Sequence, residues 1–322
     1  MKYAIGLIIL AISFACTHHA PVSPDSQIAE FQLPPLIVPE DNAYSPIRAE
    51  LGRELFFDRR LSLDSSISCS SCHIPNRAFS DTVPISPGVN GELGFRNSPS
   101  LINIGYHPYF MREGGVPTLE QQVLVPIEEH AEMAFNIVAL TERLALDPVY
   151  FQMAQLAYNR PLDPYVITRA IANFERTLIG GTSAFDSYMQ GNVNALNESE
   201  KKGMNLFFSD RTQCASCHGG YLFSSFEFAH NAQDTTNADL GRARLTGLST
   251  DRYLFKVPSL RNVGLTASYF HNGSFATLQE VLAHYNMGGS PLGLMDERIR
   301  PLGLSDDELR DLEAFLHSLT DK

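Results

Sequence analysis

The chain has 322 residues, a formal net charge of −12 and a hydrophobic fraction of 44%. That length is comfortable for two domains, and that apolar fraction argues against general disorder. The acidity excludes a phosphate-neutralising surface, and so nucleic acid as a partner; it suits a basic protein met by electrostatic steering.

At the N-terminus, Lys2 precedes an apolar run from Ala4 to Ala15 that is too short to span a bilayer. Residues 1–15 read as an export signal. The junction Ser13-Phe14-Ala15-Cys16 resembles a bacterial lipobox. On that reading Cys16 is the lipidated first residue of a periplasmic lipoprotein, and membrane contact is through the lipid alone. The alternative is an ordinary signal peptide, with Cys16 discarded or left as a free thiol. Residues 16–40, rich in Pro and Ser, are expected to form a tether, with His18-His19 a solvated part of it.

Beyond the tether the chain repeats itself. Gly52-Arg53-Glu54-Leu55-Phe56-Phe57 precedes Cys69-Ser70-Ser71-Cys72-His73, and Gly203-Met204-Asn205-Leu206-Phe207-Phe208 precedes Cys214-Ala215-Ser216-Cys217-His218. Each apolar run reads as a helix end, the second opening at Asn197 with acidic residues in its first turn. Downstream, Pro99-Ser100-Leu101 through Gly114 to Thr118-Leu119 matches Pro258-Ser259-Leu260 through Gly273 to Thr277-Leu278 without gaps. Two copies are a duplication and too few for a solenoid. From Leu140 to Leu178 the spacing is helical, and Gly180-Gly181 ends it, dividing a first domain at 41–180 from a second at 181–322. A last helix is expected from Ser305, with Glu308 at capping-box spacing, to Leu319. Alternating patterns are scarce, so the fold class is mostly α with long loops.

The five cysteines divide into Cys16 and two Cys-x-x-Cys-His boxes, leaving none for a structural disulfide. In such a box two thiols on one helical turn reach the two vinyl groups of one haem, and the next residue, His, sits under the iron. The rival readings are zinc, which would need four protein ligands, and a thioredoxin-like pair, which needs no adjacent His. Two covalent haem c groups are therefore expected, on Cys69, Cys72 and His73 and on Cys214, Cys217 and His218.

With these boxes stand Phe95-Arg96-Asn97-Ser98-Pro99-Ser100-Leu101, Thr118-Leu119-Glu120-Gln121-Gln122, Ile127 to Met133, and Leu260-Arg261-Asn262-Val263 through Tyr269-Phe270-His271-Asn272-Gly273. Together they resemble the bacterial di-haem cytochrome c peroxidase and MauG family over about Leu51 to Leu319. The resemblance implies two cytochrome-c-like haem domains related by duplication, the first binding peroxide and the second passing electrons. It implies Glu132 as the carboxylate that moves a proton during O–O cleavage, with Gln122 holding the bound oxygen; read locally, Glu132 is only a solvated acid in Glu128-Glu129-His130-Ala131-Glu132. It puts Val89 where several bacterial peroxidases carry a loop histidine, and Ser86 to Gly94 contains no His, Met or Lys. It implies Tyr285 as the sixth ligand of the second haem iron, against the alternative that Met287 reaches the iron.

The resemblance also implies a calcium ion held by the Asn97 side chain and the Thr266 and Ser268 carbonyls. At the place of the family's inter-haem tryptophan stands Arg112, and the chain has no Trp. Arg112, and His271 at the matching place in the second repeat, are expected to contact haem propionates. The implied activity is reduction of hydrogen peroxide with electrons from a small cytochrome c or a cupredoxin. The alternatives are a MauG-like oxidase that modifies a partner protein and a non-enzymatic electron carrier. A homodimer is a further expectation from the family.

Overall fold

A computed structural model describes residues 30–233, 239–290 and 296–322. The export signal, Cys16 and most of the tether lie outside the described residues. In chain order the helices are α1 (Pro46–Phe57), α2 (Cys69–Cys72), α3 (Leu119–Gln122), α4 (Leu124–Glu128), α5 (Ile137–Ala145), α6 (Pro148–Tyr158) and α7 (Pro164–Glu175). Then come α8 (Ala184–Met189), α9 (Glu198–Phe207), α10 (Cys214–Cys217), α11 (Ala243–Thr246), α12 (Leu278–Asn286) and α13 (Asp306–His317). The only sheet among the described residues pairs β1 (Phe228–Ala229) with β2 (Phe255–Lys256), antiparallel. The fold is thus helix-rich, as expected. No helix among the described residues is long and apolar enough to cross a membrane.

Local chemistry sets the helix ends. The helical stretch expected over Leu140 to Leu178 is three helices, because Asp-Pro pairs restart it twice. Asp147 Oδ1 accepts from Val149 N at 2.9 Å with Pro148 in the first turn, and Asp163 Oδ1 accepts from Val166 N at 2.9 Å with Pro164 in the first turn. Asn197 and Glu200 form a reciprocal capping box at α9, as do Ser305 and Glu308 at α13.

The same geometry occurs on both sides of Gly180-Gly181. Helix α7 lies across α1, and α13 across α9. A Cβ at Gly52 would stand 1.9 Å from Ala170 O, and one at Gly203 1.8 Å from Asp311 O, so glycine lets each pair of backbones meet. Asn103 and Asn262 are both left-handed, at φ 63° and 62°. Asn103 N bonds Leu178 O at 2.7 Å, and Asn262 N bonds Leu319 O at 3.0 Å. One apolar cluster draws on residues from Leu51 to Leu178; the other joins Phe31 to residues from Phe185 to Leu319.

Phe31 corrects the tether. Its ring is 9% exposed and makes aromatic contacts with Phe185, Phe208 and Phe223 at 5.4, 5.4 and 5.5 Å. Its carbonyl accepts from Arg261 Nη2 at 3.1 Å. Further along, Tyr106 OH donates to Pro34 O at 3.0 Å, and Leu36 packs against Gly105 and Arg176. The segment from Phe31 to Leu36 is therefore a strap laid over both clusters, because an aromatic ring gains more by burial than a free tether retains in entropy.

Candidate functional site

Each Cys-x-x-Cys-His box folds as a single helical turn that puts its two cysteines on α2 or α10, with the histidine as the cap. All four thiols are unpaired and partly buried. His73 Nδ1 donates to Phe79 O at 2.9 Å, and His218 Nδ1 to Phe223 O at 3.1 Å. A carbonyl only accepts, so Nδ1 carries the proton and Nε2 presents a bare lone pair, the state an iron ligand needs. Burial lowers both imidazoles from their usual range, which favours the neutral form.

Around the first box, Glu132 follows α4 on a loop. Its side chain is exposed, with protein packed around its base. That surrounding, with Glu129 beside it, pushes its carboxyl up to about 6. Its charge is felt by both the Cys69 and the Cys72 thiols, so Glu132 lies near the first box. Gln122 ends α3, half-buried. Val89 is 2% exposed, and its N–H bonds Glu132 O at 2.8 Å. The segment at Val89 is thus fixed to the Glu132 loop, with a buried aliphatic side chain there.

Around the second box, Tyr285 lies in α12. Its phenol is pushed up by burial and by the nearby Cys217 and Cys214 thiols, which puts it at the second box. Met287 lies just beyond α12 and is 69% exposed. His284 is occupied elsewhere, its Nε2 bonding Asn231 O at 2.9 Å.

The family model of the di-haem cytochrome c peroxidases matches residues 46–194. The methylamine utilization protein MauG of Methylorubrum extorquens is 33% identical over 291 residues, covering 87% of this chain and 80% of that protein. The chain belongs to the di-haem cytochrome c peroxidase family. The cytochrome c551 peroxidase of Pseudomonas aeruginosa is 33% identical over 283 residues, covering 85% of this chain and 78% of that protein. A solved MauG-like protein associated with microbial copper homeostasis superposes with a TM-score of 0.84 at 32% identity, over 91% of this chain and 95% of that one. As a member, this di-haem peroxidase is a cytochrome-c-peroxidase-type oxidoreductase with two haem c groups.

A buried polar cluster in which residues of the two halves meet fits such groups. Arg112 donates to Asn97 O at 2.8 Å and to Asn97 Oδ1 at 3.2 Å, and among the described residues it has no carboxylate partner. Burial, then Arg96, lowers it to about 10. Lys256 donates to Tyr109 O at 2.8 Å, and burial, then Arg112, lowers it to about 7. His107 Nε2 and His271 Nδ1 are buried without a partner. Burial and Arg112 lower His271 to about 4, and its ring stacks on Phe255 at 3.9 Å. By contrast Arg96 is neutralised by Glu113 and Asp239. Two uncompensated cations with two orphan imidazole nitrogens suit buried carboxylates, which haem propionates supply.

Sequence reasoning marked Arg112 and His271 but missed Lys256 and His107. Lys256 stands two residues before the repeated Pro258-Ser259-Leu260 stretch, which was the available signal. Of the calcium set, the Asn97 loop and the 266–271 loop are joined by Asn97 N donating to His271 O at 2.7 Å. Asn97 Oδ1, however, already accepts from Arg112. Thr266 caps a short helical turn, its Oγ1 on Val263 O at 3.3 Å, and Ser268 follows on the loop to Tyr269.

Proposed function

We propose that this di-haem peroxidase reduces hydrogen peroxide to water in its first half, with electrons entering through the second from a small cytochrome c or a cupredoxin. What supports the reading is the inequality of two similar sites: the charge of Glu132 acts on the thiols of the first box, whereas Tyr285 lies beside those of the second. When bound, the haem on His73 supplies a peroxide-binding iron and the redox equivalents. The chain's part is proton handling. Peroxide, two protons and two electrons give two waters. Glu132, ionised near neutral pH, takes the proton of the inner peroxide oxygen and returns it to the outer one as the O–O bond breaks. Gln122 holds the bound oxygen through its amide.

We read the two halves as one duplicated haem domain, at 41–180 and 181–322, used unequally. Tyr285 is the sixth ligand of the second haem iron; its burial beside the box supports this over Met287. The location is periplasmic, with the leader and Cys16 as export signal and lipid anchor, and a homodimer belongs to the same proposal. Calcium between the halves, on Asn97, Thr266 and Ser268, has the least support, since a guanidinium already holds Asn97 Oδ1. Loss of spectral shape on chelation would restore it, and an unchanged spectrum would remove it.

Steady-state peroxide consumption by the di-haem protein with a reduced small donor tests the main reading. Turnover supports it, and none would overturn it. Tyr285 and the likeness to MauG favour a second reading, oxidation of residues on a partner protein. New oxidative mass shifts on a co-purified partner after peroxide treatment would support that one. The third reading, a simple electron carrier, requires protein ligands on both faces of each iron, and a high-spin ferric signal excludes it.

A further inference from the structure

The wall of the first haem site contains an acid that the peroxidase reading does not use. Glu175 ends α7, 5% exposed, and its Oε2 is buried with no hydrogen-bond partner. Its charge reaches the Cys69 thiol. Cys69 attaches the porphyrin and does not ligate the iron, and the thioether edge offers no hydrogen-bond donor. The partner that Glu175 lacks is therefore not supplied by haem attachment.

The equivalent place in the second half shows that the fold does not need an acid. Ala170 O and Phe174 Cβ lie over Gly52 as Asp311 O and Phe315 Cβ lie over Gly203. The next residue is Glu175 in the first half and Leu316, 6% exposed, in the second. Burying an unpaired carboxyl costs free energy that a leucine would avoid.

Few charges oppose it. Arg176, next in sequence, is committed to Glu120 of α3, Nη1 to Oε1 at 2.6 Å and Nη2 to Oε2 at 3.1 Å. Glu120 itself adds a like charge that raises Glu175, and on α2 the Cys69 thiol lies within its field. The charged groups of α1 are held elsewhere: Arg53 pairs with Glu50 and Glu54, and Arg48 bonds the Ala43 and Ala157 carbonyls. On α5, Glu142 is exposed and Arg143 bonds the carbonyls of residues 60, 62 and 63.

We propose that Glu175 is a redox-linked proton carrier of the first half: its carboxylate takes one proton from solvent when the first haem accepts an electron, and returns it on reoxidation. The electron comes from the reduced donor protein, the only bond made is the carboxyl O–H, and nothing else is consumed. The physical cause is the field of the haem. An oxidised haem carries one more positive charge, which favours the carboxylate; reduction removes it, and the buried group then prefers to be neutral. Burial, only partly offset by Arg176, pushes the carboxyl up to about 8, so the exchange falls within the working pH range.

The test uses the intact di-haem protein without peroxide, so it stands apart from the peroxidatic reading. Spectroelectrochemical titration is run from pH about 6 to about 10. The reduction equilibrium constant of the first haem should fall with rising pH, by up to about tenfold per unit, as one proton per electron requires. The second haem, with Leu316, should lack this component. Glu175→Gln and Glu175→Leu, the latter copying the second half, should flatten the first haem's response, and Glu175→Asp should retain it. Proton uptake on reduction, read with an indicator dye in unbuffered solution, should drop in both neutral variants. A wild-type response that is flat, or that either neutral variant keeps, overturns the proposal.

Discussion

Replacing Glu132 by Gln keeps the size and hydrogen-bonding capacity of the side chain while removing its ability to take a proton. With the carboxyl at about 6, roughly nine-tenths is ionised at pH 7 and roughly one-tenth at pH 5. Wild-type kcat/KM for peroxide should therefore fall about tenfold between those values as the base is protonated. A positioned acid–base group contributes about 10²–10⁴-fold, or about 3–5 kcal/mol of barrier. Glu132→Gln should lose that factor at pH 7 and show no acid limb near pH 6, with KM for the donor protein unchanged. Stopped-flow peroxide kinetics over this pH range is the assay. A variant within about threefold of wild type, or one that keeps the acid limb, would refute the assignment.

Three further outcomes test the architecture. Tyr285→Met should change the absorption spectrum of the second haem, while Met287→Leu, at a 69% exposed position, should leave it unaltered; the reverse pattern would make Met287 the ligand. Gly203→Ala sets a Cβ 1.8 Å from Asp311 O and should destabilise the di-haem protein by about 3 kcal/mol or more, read as a lower denaturant midpoint. Phe31→Ala should cost about 3 kcal/mol by the same measurement, and a change near zero would mean that the strap is not held by its ring.

The sequence made the haem attachment legible because covalent attachment requires residues adjacent in the chain. It showed the helix starts at Asn197 and Ser305 for the same reason, since a capping box closes within four residues. The repeated stretches also pointed to two like halves, and Asn103 and Asn262 each adopt a left-handed turn that few side chains accept. Contacts that depend on distant segments were not readable. Phe31 sits among Pro and Ser, and nothing local says that Phe185, Phe208 and Phe223 await it. Lys256 and His107 are 149 positions apart and meet only after the halves pack. Glu175 looks in sequence like the polar end of an amphipathic helix; its lack of a partner appears only once α7 lies across α1. The setting of Glu132 likewise depends on the distant Val89, whose N–H bonds the Glu132 carbonyl.

The strap also imposes an order of assembly. Phe31 is synthesised well before its socket of Phe185, Phe208 and Phe223, and its carbonyl waits for Arg261. A nascent chain can complete the first apolar cluster without it, but the strap closes only when the second is formed. The strap thus settles after the segments it spans. A truncated or misfolded second half would leave an aromatic N-terminal segment undocked, a ready mark for proteolysis of unfinished molecules.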